Sequence, residues 1–153
     1  NFLFTNTSDN FATELSTVET DEGLSAGALL GSSVIFKKAL TPLLNFSPML
    51  MVFAERIKLV EDLENIWSVD GKIALNYKSG PDIEEGQTFV NRYVTALVAL
   101  IENNVRLGDT TGFIVQAIPT SVETVFASIG EEDDSATKFI AVLDIEILID
   151  NAV

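Results

Sequence analysis

Carboxylates are the abundant side chains of this chain that could do chemistry, because it has 23 Asp and Glu residues but no His and no Cys. These absences remove the imidazole bases, the thiolate nucleophiles and the commonest zinc ligands. An enzyme would have to work with carboxylates, Lys, Tyr or Ser alone. Two carboxylate groupings carry the available chemistry. They are the pair Asp144 and Glu146 and the run Glu131, Glu132, Asp133 and Asp134.

Neither grouping has the spacing of a known catalytic or metal site. Four successive residues cannot all face one Ca²⁺ or Mg²⁺ ion, and the sequence has no D-x-[DN]-x-[DN]-G loop, phosphate-binding loop or nucleophile elbow. Asp144 and Glu146 would perturb each other only if both were buried, and a solvated strand face explains their spacing as well. We therefore predict no enzymatic activity, no metal and no cofactor, with residues 131–134 in an exposed loop.

The charge and the apolar content restrict the class of partner. A formal net charge of −14 opposes phosphate neutralisation, so nucleic-acid binding is not expected. Uncharged runs are too short or too rich in Pro to span a membrane. Apolar residues make up 47% of the chain, and the mean hydropathy is +0.30. Two interpretations stay open, a well-filled core or an apolar surface that partners cover.

Hydrophobic periodicity predicts two helices that would position these groups. Apolar residues recur at helical spacing over 21–44, and Pro42 would end that helix. The second helix is predicted over 81–103, with Gly86, Val90, Tyr93 and Leu97 along one face. Ser79 with Asp82, or Asp82 with Glu85, provides the spacing of a capping box at its start. Residues 1–20 show no sustained period and are predicted to form an arm or a short helix ahead of one domain over 21–153.

Four segments have the pattern of strands. They are residues 48–60, residues 72–77 after a turn at Asp70 and Gly71, residues 112–118 closed by Pro119, and residues 137–150. In the last segment apolar and charged residues alternate, which is typical of an antiparallel strand. It is much longer than the usual strand of about five or six residues, which predicts a bulge or pairing with a neighbouring molecule. The expected fold is α+β, a mainly antiparallel sheet packed against two helices.

Basic residues are unevenly distributed along the chain. After Arg106 there are nine carboxylates and a single basic residue, Lys138. Four basic residues instead cluster on the first two predicted strands: Arg56, Lys58, Lys72 and Lys78. This polarity predicts an interface in which the basic edge of one subunit meets the acidic edge of the next.

The element order and three short segments resemble the tail-terminator, or tail-completion, proteins of long-tailed bacteriophages. The segments are Ser79-Gly80-Pro81-Asp82-x-Glu84-Glu85, Tyr93-Val94-x-Ala96-Leu97 and Val142-Leu143-Asp144-Ile145-Glu146-Ile147. The resemblance covers residues 21–150. It implies a virion subunit, made in the host cytoplasm, that forms a ring of typically six copies in the neck region. Such a ring caps the tail-tube protein and docks to the head-connector protein, and DNA passes through it without specific binding. The resemblance also implies that the loop of residues 131–134 faces the lumen of the ring or a partner.

Two other interpretations remain from the sequence. The first is another phage neck or tail-tube subunit. The second is a small carboxylate-based enzyme or ligand-binding domain, for which a stable monomer with a deep pocket would be expected.

Overall fold

The structure is a computed structural model that describes residues 2–39, 48–60, 63–129 and 136–152. Within these described ranges, two helices, a 3-10 turn and five strands follow one another. In order they are α1 (Phe2–Asp21), the 3-10 turn (Gly31–Ser33), β1 (Ile35–Lys37), β2 (Met49–Leu59), β3 (Ile66–Ser79), α2 (Ile83–Asn103), β4 (Ile114–Ile129) and β5 (Ala136–Asp150).

The five strands form one sheet in the order β1-β2-β3-β5-β4. Neighbouring strands run antiparallel except for β1, which is parallel to β2. The predicted α+β fold is therefore confirmed, and the sheet is mixed through its short parallel edge strand.

Both helices pack on one face of the sheet, here called the helix face, and the main core lies between the helices and the sheet. Leu50, Ile73 and Leu143 supply part of the sheet's contribution and are fully buried. The opposite side, here called the outer face, carries a smaller cluster around Met49, Met51 and Ala74. The two-fold alternation of side chains along β2, β3 and β5 therefore sorts apolar residues to the helix face and most charged residues to the outer face.

Helix α2 begins and packs as its sequence predicts. Of the two capping alternatives the structure shows the second, because the Asp82 carboxylate accepts a hydrogen bond from the Glu85 N–H at 3.1 Å. Tyr93 and Leu97 are buried, as predicted. Gly86 lies where the helix meets β5, and a Cβ atom there would stand 2.4 Å from the Phe139 ring. Only glycine allows this approach.

The helix predicted over 21–44 is wrong for the described residues 22–39. Residues 2–21 instead form the 20-residue α1. Past Asp21 the chain turns at Gly23 and Gly27, whose φ angles of +68° and +82° do not fit a right-handed helix. The buried Glu19 carboxylate then accepts hydrogen bonds from the N–H groups of Gly27, at 3.0 Å, and Leu29, at 2.9 Å. Residues 40–44 of the predicted helix lie outside the described part.

The turn predicted at Asp70 and Gly71 is also wrong, because β3 begins at Ile66 and continues through both residues. The reversal between β2 and β3 includes Asn65, which has a φ of 63°. Gly71 is needed for packing: a Cβ atom there would stand 3.0 Å from the Leu3 side chain and 3.2 Å from Ile147. The glycine lets the start of α1 approach the sheet.

Strand β4 is longer than predicted, because Pro119 does not end it. The Ala117 N–H points away from β5 and donates to the Val105 carbonyl at 2.7 Å. By alternation the nitrogen of Pro119 also points away from β5, where its missing N–H costs no bond within the sheet. The register shifts just after Pro119, and residues 121–129 continue the strand and pair with β5.

Strand β5 is long because both of its neighbours are long. It pairs with β3 from Ser79 to Ile66 on one side and with β4 on the other. The subunit itself therefore accounts for the length of β5. The prediction that β5 needs a bulge of its own or a neighbouring molecule to accommodate it is wrong.

Candidate assembly interface

A row of polar and charged side chains crosses the outer face of the sheet. The Lys72 ammonium on β3 lies 2.9 Å from the Asp144 carboxylate on β5 and 3.3 Å from that of Glu55 on β2. Asp144 also accepts a hydrogen bond from the Ser121 hydroxyl on β4 at 2.7 Å. The row therefore joins four strands side by side.

These contacts shift the pKa values of the two central groups. Hydrogen bonds from the Ser121 hydroxyl and then from Lys72 hold the pKa of Asp144 below its usual range. The Asp144 and Glu55 carboxylates raise the pKa of Lys72 above its usual value. Both shifts mean that the charged forms are favoured in the folded chain.

We expect replacement of Asp144 by Asn to lower the free energy of unfolding by less than about 1 kcal/mol near neutral pH, because both partners remain partly exposed. A lowered folded-state pKa contributes stability above the unfolded pKa and loses it as pH falls through the folded value. The difference between parent and variant should therefore shrink below about pH 4. Urea unfolding at several pH values measures it, with the exposed Asp21→Asn on α1 as the control. A difference that grows as pH falls would contradict the assignment.

The four basic residues of the predicted interface lie in different surroundings. Lys72 already has two carboxylate partners in its own subunit. Arg56, on β2, lies 3.4 Å from Asp70 but is largely exposed. Lys78 is opposite Lys138 in the β3–β5 pairing. Lys58 is exposed near the end of β2 and forms no ion pair with a described residue. Of the four, Lys58 has the geometry best suited to a neighbouring molecule.

The acidic groupings do not form a centre within the described residues. Glu131, Glu132, Asp133 and Asp134 lie outside them. Asp144 and Glu146 share the outer face but have separate partners, since Glu146 accepts from the Ser68 hydroxyl at 3.4 Å. Across the described ranges, no three acidic side chains gather in the geometry of a metal site.

The two edges of the sheet expose apolar side chains that the sequence pattern did not single out. On β2, Ile57 and Leu59 are 61% and 54% exposed, and on β4, Val122 and Phe126 are 42% and 49% exposed. All four point to the helix face, because they pair with residues of the main core or their neighbours. The run of β-branched and aromatic residues over 122–126 was the available signal, and it was obscured by the expectation that Pro119 ends the strand.

The start of β4 is fixed by a hydrogen-bonded turn at Asp109. Its carboxylate accepts from the Thr111 N–H at 2.8 Å, the Thr111 hydroxyl at 2.6 Å and the Ile114 N–H at 2.7 Å. These bonds, the Thr111 hydroxyl first, hold the pKa of Asp109 below its usual range. The turn sets where β4 enters the sheet and therefore which of its groups face outward.

Two of the concave regions of the surface lie beside these apolar and charged side chains. An apolar groove of about 600 Å³ lies on the helix face beside the start of α1, lined in part by Ile57, Val69, Phe113 and Ile149. A polar depression of about 270 Å³ surrounds Lys72 and Asp144 on the outer face. Neither α1 nor α2 is long and apolar enough to cross a membrane, and this finding applies to the described residues.

Comparisons with known proteins give a weak structural similarity and no match to a family. No protein-family model matches the sequence, and no curated protein matches it. The chain is similar to a chain of a solved structure titled "Virion of native gene transfer agent (GTA) particle". The identity is 14%, the match covers 85% of this chain and 90% of that chain, and the TM-score is 0.37. A TM-score of this size is too low to transfer the role of any residue.

Proposed function

We propose that this chain is a structural subunit of a phage-like virion, and more specifically a tail-terminator or neck subunit. In this role several copies form a ring that ends the tail tube and joins it to the head connector. The proposal includes the absence of enzymatic activity. Its sequence support is the resemblance of residues 21–150 to tail-terminator proteins, together with a net charge of −14 that would let DNA pass without being held.

The observation that carries the proposal is the exposed apolar surface at both edges of the sheet. Natural sheets usually protect a free edge with charges, bulges or a covering loop, since an open edge recruits other strands. Here β4 carries one charged residue, Glu123, among the 16 residues from Ile114 to Ile129. Past its bulge after Pro119, this weakly charged edge suits a protein that works in contact with others.

Electron microscopy of particles from cells that express the chain tests the role. Gold-labelled antibodies against the chain should bind at the junction of head and tail. Deletion of its gene should leave heads separated from tails of uncontrolled length. Particles from the deletion strain are the control for labelling. Label along the whole tail would indicate a tail-tube subunit instead, and absence of the chain from purified particles by mass spectrometry would contradict the proposal.

A further inference from the structure

At the two opposite edges of the sheet, β2 and β4 carry backbone groups that face no described strand. Strand β1 covers β2 only at Met49, Leu50 and Met51, so no described strand lies beyond residues 52–59. The Val60 N–H donates inward to Ile66. By alternation, the N–H and C=O groups of Ile57 and Leu59 point outward.

The second of these edges is formed by β4 past its bulge. The Ala117 N–H points away from β5, and backbone groups alternate in direction from there along the strand. The bulge after Pro119 adds one residue and so shifts this alternation by one position. Past the bulge, the backbone groups of Val122, Thr124 and Phe126 therefore point away from β5. No described strand lies beyond these residues. Each of these two edges therefore offers a short row of backbone hydrogen-bonding groups.

The side chains at the two edges are complementary. On the helix face both edges expose large apolar residues, Ile57 and Leu59 on β2, and Val122 and Phe126 on β4. On the outer face the charges are opposite: Lys58 lies on β2, and Glu123 lies on β4 opposite Val142 of β5. Neither charge has an ionic partner among the described residues of its own subunit.

Strand direction allows these two edges to join. From β2 through β3 and β5 to β4 each strand is antiparallel to the one before. If the next copy continues the sheet in the same sense, its β2 is antiparallel to β4. A pairing of this kind is heterologous, and heterologous contacts of suitable rotation close into rings.

We propose that β4 of one copy pairs with β2 of the next copy, so that the sheet continues from subunit to subunit. The outward backbone groups of Thr124 and Val122 bond those of Ile57 and Leu59 of the neighbour. This register places Glu123 directly opposite Lys58 of the neighbouring copy on the outer face. The inference rests on the proposed function, because it names the contact that joins neighbours in the proposed ring.

A two-fold pairing of β4 with β4 of a second copy is the competing arrangement. It would leave Ile57 and Leu59 exposed on β2, and it would not bring Glu123 near Lys58. The heterologous arrangement covers both edges and pairs both charges, so the observations favour it.

Charge exchange tests the register. Lys58→Glu and Glu123→Lys should each weaken assembly, measured by sedimentation, by roughly three- to tenfold in dissociation constant, since like charges then face each other. Combining the two should restore assembly toward that of the parent. Glu102→Lys, an exposed substitution on α2 of the same type, is the matched control. Equal assembly of parent and single variants, a double variant weaker than either single one, or a parent that stays monomeric at its highest soluble concentration would overturn the proposal.

Proline at Thr124 tests the backbone bonds. Since the outward N–H of Thr124 has no partner among the described strands of its own sheet, Thr124→Pro should retain the parent's circular dichroism and lose assembly. Thr124→Ala, which keeps the N–H, is the control. A folded proline variant that assembles like the parent would contradict edge pairing. If the proline variant does not fold, the charge exchange decides alone. A dimer that forms through β4 and is insensitive to Lys58→Glu would replace the proposal with the two-fold arrangement.

The failure of this inference differs from failure of the virion role. If the chain is found at the neck of particles but its assembly is unaffected by the variants at both edges, the virion role stands and the edge contact is contradicted. If the chain assembles through these edges but is absent from particles, the edge contact stands and the virion role is contradicted.

Discussion

Replacing Glu19 by Ala is expected to lower the free energy of unfolding by about 3 kcal/mol, because the carboxylate is buried and accepts two backbone hydrogen bonds. Without it, the Leu29 N–H stays inside the protein with no acceptor. Leu29 is also the residue whose carbonyl accepts the buried hydroxyl of Tyr93. Loss of Glu19 should therefore loosen the segment that joins α1 to β1, and amide hydrogen exchange of Gly27 and Leu29 should accelerate.

Two matched variants separate this effect from simple removal of a carboxylate. Glu19→Gln keeps one acceptor oxygen and should cost clearly less than Glu19→Ala. Glu14→Ala removes a carboxylate from a partly exposed position of the same helix, where it accepts a hydrogen bond from Asn103, and should change stability by less than about 0.5 kcal/mol. Urea unfolding at concentrations where the chain sediments as a monomer measures all three. Equal losses for Glu14→Ala and Glu19→Ala would show that the buried hydrogen bonds contribute little.

The same loop explains why the first helix was misplaced in the sequence analysis. The buried stripe of α1 runs Leu3, Thr7, Phe11, Leu15 and Val18, which is a helical period. Thr7 interrupts the apolar pattern, and it is tolerated inside because its hydroxyl donates to the Leu3 carbonyl at 2.7 Å. Local apolar spacing over 22–39 could not show that two glycines adopt positive φ, since that conformation depends on the contacts with Glu19.

The candidate interface was predictable in part. Clustering of basic residues pointed to β2, which faces no described strand beyond Met51, but it could not show that Lys72 is paired with Asp144 inside the subunit. The sequence pattern does not single out Glu123, because a proline such as Pro119 predicts the end of a strand. Whether a proline ends a strand depends on which way its nitrogen points, and only the register with β5 determines that.

The periodic parts of the sequence were the most informative, and Leu97 gives the sharpest test of them. Leu97 is 1% exposed on α2, one helical turn from Tyr93 and within the main core. We expect Leu97→Ala to lower the free energy of unfolding by about 2 to 5 kcal/mol, since it removes buried methyl groups and leaves a cavity. Leu63→Ala, at a residue 51% exposed in the turn before β3, is the matched control and should change stability by less than about 0.5 kcal/mol. Urea unfolding of the monomer measures both, and an unchanged midpoint for Leu97→Ala would mean that α2 presents a different face to the sheet.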